Sequence, residues 1–157
     1  MYEMVAVPAF EDNYIWLYIN KETETAIVVD PGDGMAALEA VVAYNVQVSA
    51  IFITHHHADH SGGIYKLVHG LCDDKIDLIP VYGPKREWIP HVTHQLVDGD
   101  TISIPDFAPF TVLSIPGHTK GHIAYYSAEA GILFCGDTLI TGGCGRLFEG
   151  TGERLFN

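Results

Sequence analysis

The stretch Ile51-Phe52-Ile53-Thr54-His55-His56-His57-Ala58-Asp59-His60-Ser61-Gly62-Gly63 constrains this chain more than any other. An apolar, β-branched run leads straight into four histidines and an aspartate, and two glycines follow. The pattern predicts a strand over Val48–Ile53 that delivers its next residues to a sheet edge as a loop. While the chain stays extended, His55, His57 and Asp59 alternate onto one side, and His60 points elsewhere, towards a second centre. Imidazoles together with a carboxylate are the donor set of a borderline divalent ion such as zinc. The alternative is a polar loop with histidines scattered by chance. Four histidines within residues 55–60, with an aspartate among them at a strand end, favour metal.

Around that loop the periodicities alternate. Met4–Val7, Tyr14–Ile19 and Ala26–Val29 read as a strand meander, ended by Asp30-Pro31-Gly32-Asp33-Gly34. Asp30 reads as a helix cap, with an acceptor for a metal-bound histidine as the alternative. Met35–Tyr44 carries Leu38, Val41 and Val42 at helical spacing, and Asn45 is its stop. A second helix is expected over Gly62–Leu71 and a strand over Leu78–Tyr82. Residues 84–94 read as irregular, with His91 and His94 on the surface; His69 also reads as a surface residue. Further strands are expected over Gln95–Val97, Thr101–Ile104, Phe110–Ile115, His122–Ser127 and Ile132–Cys135. Asp98-Gly99-Asp100 and Glu129-Ala130-Gly131 are the hairpin signals between them. Two strand-rich halves that each carry helices suggest a layered sandwich.

Two later loops follow strands and carry the same chemistry: Pro116-Gly117-His118-Thr119-Lys120-Gly121-His122 and Gly136-Asp137-Thr138. His118 can complete a three-histidine site with His55 and His57, and Asp137 can bridge to a second ion held by Asp59 and His60. Aspartate and histidine are common in glycine-rich turns; the recurrence at strand ends is what singles these out. His122, which begins a strand, reads as a core residue or a partner of a ligand.

Charge narrows the partners. Eight Lys and Arg against 20 Asp and Glu give −12 over 157 residues, the length of one domain. Such a chain lacks the basic footprint for phosphate backbones or anionic membrane, so neither nucleic acid nor membrane is expected as a partner. No apolar stretch suits a membrane helix and no leader pattern is visible. Three widely spaced cysteines, Cys72, Cys135 and Cys144, fit a reducing compartment, and the expected location is the cytoplasm.

The motif H-x-H-x-D-H, here His55 to His60, resembles the marker of the metallo-β-lactamase superfamily. Within it the chain looks closest to bacterial-type glyoxalase II, the hydroxyacylglutathione hydrolase. The residues behind that likeness are Pro8–Tyr14, Val29–Asp33, Thr54–His60, Pro116–Thr119, Gly121–Ile123, Phe134–Leu139 and above all Gly142–Thr151. The resemblance implies an α/β fold (α+β by some schemes), a metallo-β-lactamase-like αββα sandwich with a two-metal site at the sheet edges. By resemblance His55, His57, His118 and Asp137 hold one ion, and Asp59, His60 and Asp137 hold the other. The ions would be zinc, with iron or manganese as alternatives. Arg146 and Phe148 match a loop that contacts the glutathione part of the substrate; a guanidinium fork suits a carboxylate, and a plain surface charge is the alternative for Arg146. Family members continue into a helical C-terminal domain, with a further histidine for the second ion. This chain therefore reads as a single truncated domain, incomplete at that side, with a partial second site and a surface that favours self-association.

The reaction implied is hydrolysis of S-D-lactoylglutathione to glutathione and D-lactate by a metal-bridging hydroxide, with Asp59 and Asp137 as the catalytic carboxylates. Two ions about 3.5–4 Å apart bring the pKa of a water down from 15.7 towards ~7. No covalent nucleophile is required, and no G-x-S-x-G occurs. The rival enzyme of the same superfamily is an iron persulfide dioxygenase using two histidines and an aspartate. From another class, the rival is a metal-binding fragment with little or no activity.

Overall fold

The apolar runs after residue 13 become strands buried on both faces, and this decides the layering. The computed structural model describes residues 1–10, 13–72, 79–115, 119–136, 138–141, 146–149 and 152–156, with Asp59, Cys72 and the residues from 138 onward described by backbone alone. The first sheet takes the order β1 (Tyr2–Ala9), β2 (Asn13–Asn20), β3 (Thr25–Val29), β4 (Gln47–Phe52), β5 (Val81–Pro84) and β6 (His94–Leu96). β1 to β3 are antiparallel, whereas β3 to β6 run parallel. Parallel neighbours need crossovers, supplied by α1 (Gly34–Tyr44) between β3 and β4 and by α2 (Ala58–Ser61) and α3 (Ile64–Cys72) between β4 and β5.

The second sheet is an antiparallel meander of seven strands: β7 (Thr101–Ile102), β8 (Phe110–Ser114), β9 (Ile123–Ser127), β10 (Ile132–Cys135), β11 (Thr138–Thr141), β12 (Arg146–Glu149) and β13 (Gly152–Phe156).

Side-chain parity sorts the first sheet into two cores. Ile15, Leu17, Ala26, Val28, Ile51 and Ile53 face α1 and α3, where they meet Ala37, Val41, Ile64 and Leu67. Their neighbours Trp16, Tyr18, Ile27, Val29 and Phe52 face the second sheet and meet Phe110, Val112, Tyr125 and Phe134. Helices, sheet and sheet form three layers. Among the described residues no helix lies in sequence beyond α3, and none is long and apolar enough to cross a membrane.

The ends of α1 follow local chemistry: Asp33 caps it by accepting from the Ala36 amide at 3.1 Å, and Asn45 ends it in the left-handed region at φ 53°. Four expectations need correction. The cap is Asp33, not Asp30. The helix expected from Gly62 begins earlier, as the short turn α2, and resumes as α3. The strand expected at Leu78–Tyr82 lies at Val81–Pro84; it pairs with β4 through Ile51 and Val81, and Leu78 is outside the described residues. Asp98-Gly99-Asp100 is no hairpin, because β6 and β7 belong to different sheets and this turn carries the chain across. Its tripeptide satisfies the crossing backbone: Asp98 Oδ1 accepts from Ser114 N and Gly99 N donates to Val112 O. The other signal, Glu129-Ala130-Gly131, does join the antiparallel pair β9 and β10. His69, His91 and His94 are exposed as expected.

Phe52 is fully buried between the sheets, stacked on Tyr125 at 4.4 Å and edge-on to Phe110 at 5.1 Å. Phe52→Ala is expected to lower unfolding stability by about 3–5 kcal/mol in urea titration. A loss under ~1 kcal/mol would show that the sheets do not close over this ring.

Candidate metal centre

Asp30 directly follows β3 and Thr54 lies just beyond β4, and parallel pairing of those strands puts them side by side. The ladder continues one step past the strands, with Asp30 N donating to Phe52 O at 2.8 Å. Asp30 then turns into the left-handed region at φ 54°, a conformation that aspartate tolerates better than most residues. Its carboxylate, 1% exposed, is aimed at the neighbouring strand end. Oδ1 accepts from the Thr54 amide at 2.8 Å, and Oδ2 accepts from the Thr54 hydroxyl at 2.7 Å. His60 Nδ1 lies 3.1 Å from the same Oδ2.

These contacts assign protons. A carboxylate only accepts, so His60 carries its proton on Nδ1 and keeps its lone pair on Nε2. The Thr54 hydroxyl has one hydrogen, which it gives to Asp30. Its contact with His55 Nδ1 at 2.9 Å is therefore donated by the imidazole, and His55 too keeps its lone pair on Nε2. One buried carboxylate thus sets the tautomer of two histidines, one directly and one through a hydroxyl. Asn13 Nδ2 lies 3.3 Å from His60 Nε2, a donor against that lone pair.

The histidine loop folds back on itself. Alternation stops at His57, because His60 N and Ser61 N both donate to His57 O and close the turn α2. The turn brings the His60 ring back beside His55, with centres 4.3 Å apart, nearer than His57 at 4.9 Å. Donor atoms of Asp30, His55 and His60 lie within 4.8 Å of one another. Because both Asp30 oxygens already accept from Thr54 and His60, Asp30 fits the role of orienting acceptor, and the two Nε2 atoms fit that of ligands. Gly63 lets α3 start against the Asp30-Pro31 turn: a Cβ there would sit 2.2 Å from Pro31 O.

The second sheet docks onto this strand end. Ile123 N donates to Thr54 O at 2.9 Å, which lays the His122 ring on His55 with centres 4.5 Å apart. The Tyr125 hydroxyl donates to Ile53 O at 2.6 Å; burial, and then the charge of Asp30, hold its pKa well above the ordinary phenol value, so it stays a donor. Trp16 Nε1 donates to Gly136 O at 3.1 Å, and a Cβ on Gly136 would lie 3.7 Å from both His122 Nε2 and Thr54 Oγ1. The later strand ends thus converge on the histidine loop.

Of the residues singled out in the sequence, His55 and His60 are buried together and His57 is half-buried beside them. Asp59 lies on α2, and Arg146 and Phe148 lie on β12, with their side chains outside the described atoms. His118 and Asp137 lie outside the described residues. Tyr125 and Glu87 carried no site signal in the sequence, since a core tyrosine and an acid in an irregular segment have no ligand spacing, and Asn13 entered only within the Pro8–Tyr14 likeness. Among the cysteines, Cys135 is free and half-buried, and burial pushes its thiol up to about 11, which disfavours a thiolate nucleophile.

Asp30→Asn puts an amide where two donors converge and is expected to weaken zinc binding by about 10–100-fold, read by competition with a chromophoric chelator. Unchanged affinity would remove Asp30 from the support of the site.

Residues 10–156 match the model of the metallo-beta-lactamase superfamily. A hydroxyacylglutathione hydrolase of Nitrosomonas eutropha (strain DSM 101675 / C91 / Nm57) is 49% identical over 156 residues, covering 99% of this chain and 57% of that protein. The chain thus spans little more than half the length of this curated relative. Among solved structures, the BLEG-1 B3 metallo-beta-lactamase superposes with a TM-score of 0.69 at 24% identity, over 87% of this chain and 72% of that one. TTHA1623, solved in a di-iron-bound form, gives 0.62 at 27% identity, over 86% and 71%. A motif of histidines at the end of a buried parallel strand, two stacked sheets and the match along nearly the whole sequence agree: the chain belongs to the metallo-β-lactamase superfamily.

Proposed function

We propose that this chain is the metal-binding part of a thioester hydrolase that cleaves S-D-lactoylglutathione to glutathione and D-lactate. The observation that carries this reading is the 49% identity to a hydroxyacylglutathione hydrolase over 99% of the chain. The donor chemistry at the histidine loop supports it, since the tautomers assigned to His55 and His60 leave Nε2 lone pairs for a borderline divalent ion. In this reading His55, His57, His118 and Asp137 hold one ion, and Asp59, His60 and Asp137 hold a second. The di-iron form of TTHA1623 supports a pair of ions, most simply zinc here, with iron or manganese as alternatives.

Bound divalent ions supply an acidified water and a Lewis acid for the thioester carbonyl. The chain's own residues do the rest. Asp30 and Thr54 hold the Nδ1 proton of each imidazole, which leaves Nε2 as the nitrogen that faces an ion. Asp59 and Asp137 would serve as carboxylate ligands, and Asp59 would also orient the attacking water. Arg146 and Phe148 would contact the glutathione part of the substrate, with the Arg146 guanidinium suited to a carboxylate. A thiol of pKa near 8.5 leaves as a thiolate without a strong protein acid. The raised thiol of Cys135 and the absence of G-x-S-x-G favour direct attack by water over a covalent route.

Loss of the thioester absorbance with stoichiometric D-lactate in the zinc-loaded chain is the expected result, and His57→Ala should lower the rate more than about 100-fold, beyond the 10–100-fold typical of losing a ligand's outer partner. Oxygen uptake with glutathione persulfide in its place would identify a dioxygenase. Tight metal binding without either reaction would leave a binding fragment.

A further inference from the structure

We propose that Glu87 is a positioning residue that sets the spacing between the two loops assigned as metal-bearing, an inference that rests on the metal reading of His55, His57 and His118. Glu87 sits in the turn after β5, and its side chain is only 6% exposed although it lies beside solvent-facing His56. Each carboxylate oxygen serves a different loop. Oε1 accepts from the His56 amide at 2.6 Å and from His56 Nδ1 at 3.0 Å, which pins the backbone between His55 and His57. Oε2 accepts from Gly121 N at 2.9 Å, on the segment that links His118 to β9.

The geometry leaves no slack. A Cβ on Gly121 would fall 2.4 Å from Glu87 Cγ, so the glycine is what admits the carboxylate to this loop. The backbone bond from Ile123 N to Thr54 O joins the same two segments one step deeper, at 2.9 Å. Glu87 and that bond bracket the crossing between the sheets. Ligand geometry is set to within about half an ångström by such outer contacts. A carboxylate that accepts from both loops, drawn from a third element, is a device for holding them at one distance.

The Gly121 arm can be cut from either side. Glu87→Gln keeps an acceptor for His56 but turns a donor towards Gly121 N, and Gly121→Ala displaces the carboxylate from the other side. For the cobalt-loaded chain, E87Q is expected to weaken binding about tenfold or more and to shift the visible d–d band of Co(II). The thermal midpoint of the apo chain should move little. G121A should do the same, and the double variant should lose little beyond either one, since both break one contact. Glu87→Asp, which keeps the carboxylate but shortens its reach, should fall between wild type and E87Q. Unchanged cobalt affinity and spectrum in E87Q, or a lowered melting point alone, would overturn the positioning role. A wild-type chain that binds no cobalt would overturn it together with the metal reading. Cobalt binding that responds to E87Q without thioester hydrolysis would sustain this role while the substrate assignment fell.

Discussion

Burying the Asp30 carboxylate is the constraint from which the rest of the site follows. An isolated charge so placed costs several kcal/mol unless donors surround it. Here the donors are the amide and hydroxyl of Thr54 and the Nδ1 of His60, at 2.8, 2.7 and 3.1 Å. Meeting that demand joins the ends of β3 and β4, turns His60 back over His55, and fixes which nitrogen of each ring keeps a lone pair. The left-handed φ of 54° at Asp30 is tolerable because these three bonds over-determine it. Structure and metal chemistry are therefore coupled through one side chain: what satisfies the carboxylate also prepares the ligands.

The second sheet contributes at one corner. Its strands are held against β4 chiefly by apolar contact, but at the end of that strand polar bonds take over: Ile123 N to Thr54 O, Tyr125 to Ile53 O, and Trp16 to Gly136 O. These bonds lie where two sheet edges would otherwise bury unsatisfied carbonyls. They also align the loops before β9 and after β10 with the histidine loop. Sheet edges that must satisfy their last backbone groups against each other make a natural place for a site assembled from several loops.

Much of this was legible in the amino acids. Strands buried on both faces read as unbroken apolar runs, as in Tyr14–Ile19, and the helix over Met35–Tyr44 announced itself by period and by its Asn45 stop. The histidine loop was legible because its density of donors has no structural explanation. Elsewhere local signals misled. Asp-Gly at 98–99 resembles a hairpin turn, yet which sheet a strand joins is settled by long-range pairing. Asp30 and Asp33 are equally good caps by composition; only the position of Thr54 across the sheet separates them.

By itself the sequence determined the family of the chain, the presence of a histidine-rich loop at a strand end and the alternation that divides the strands of the first sheet between two cores. Those properties reside in runs of neighbouring residues, where period and residue type act directly. Tertiary structure alone decided that Asp30 serves His60 and, through Thr54, His55, that His122 lies on His55, and that Glu87 joins two loops. Each of these pairs residues at least 24 apart in the chain, apart from the contact between Thr54 and His55. No local rule links such residues. They meet because parallel strands and a sheet-on-sheet contact carry them to one edge, and because buried polar groups at that edge must find partners there.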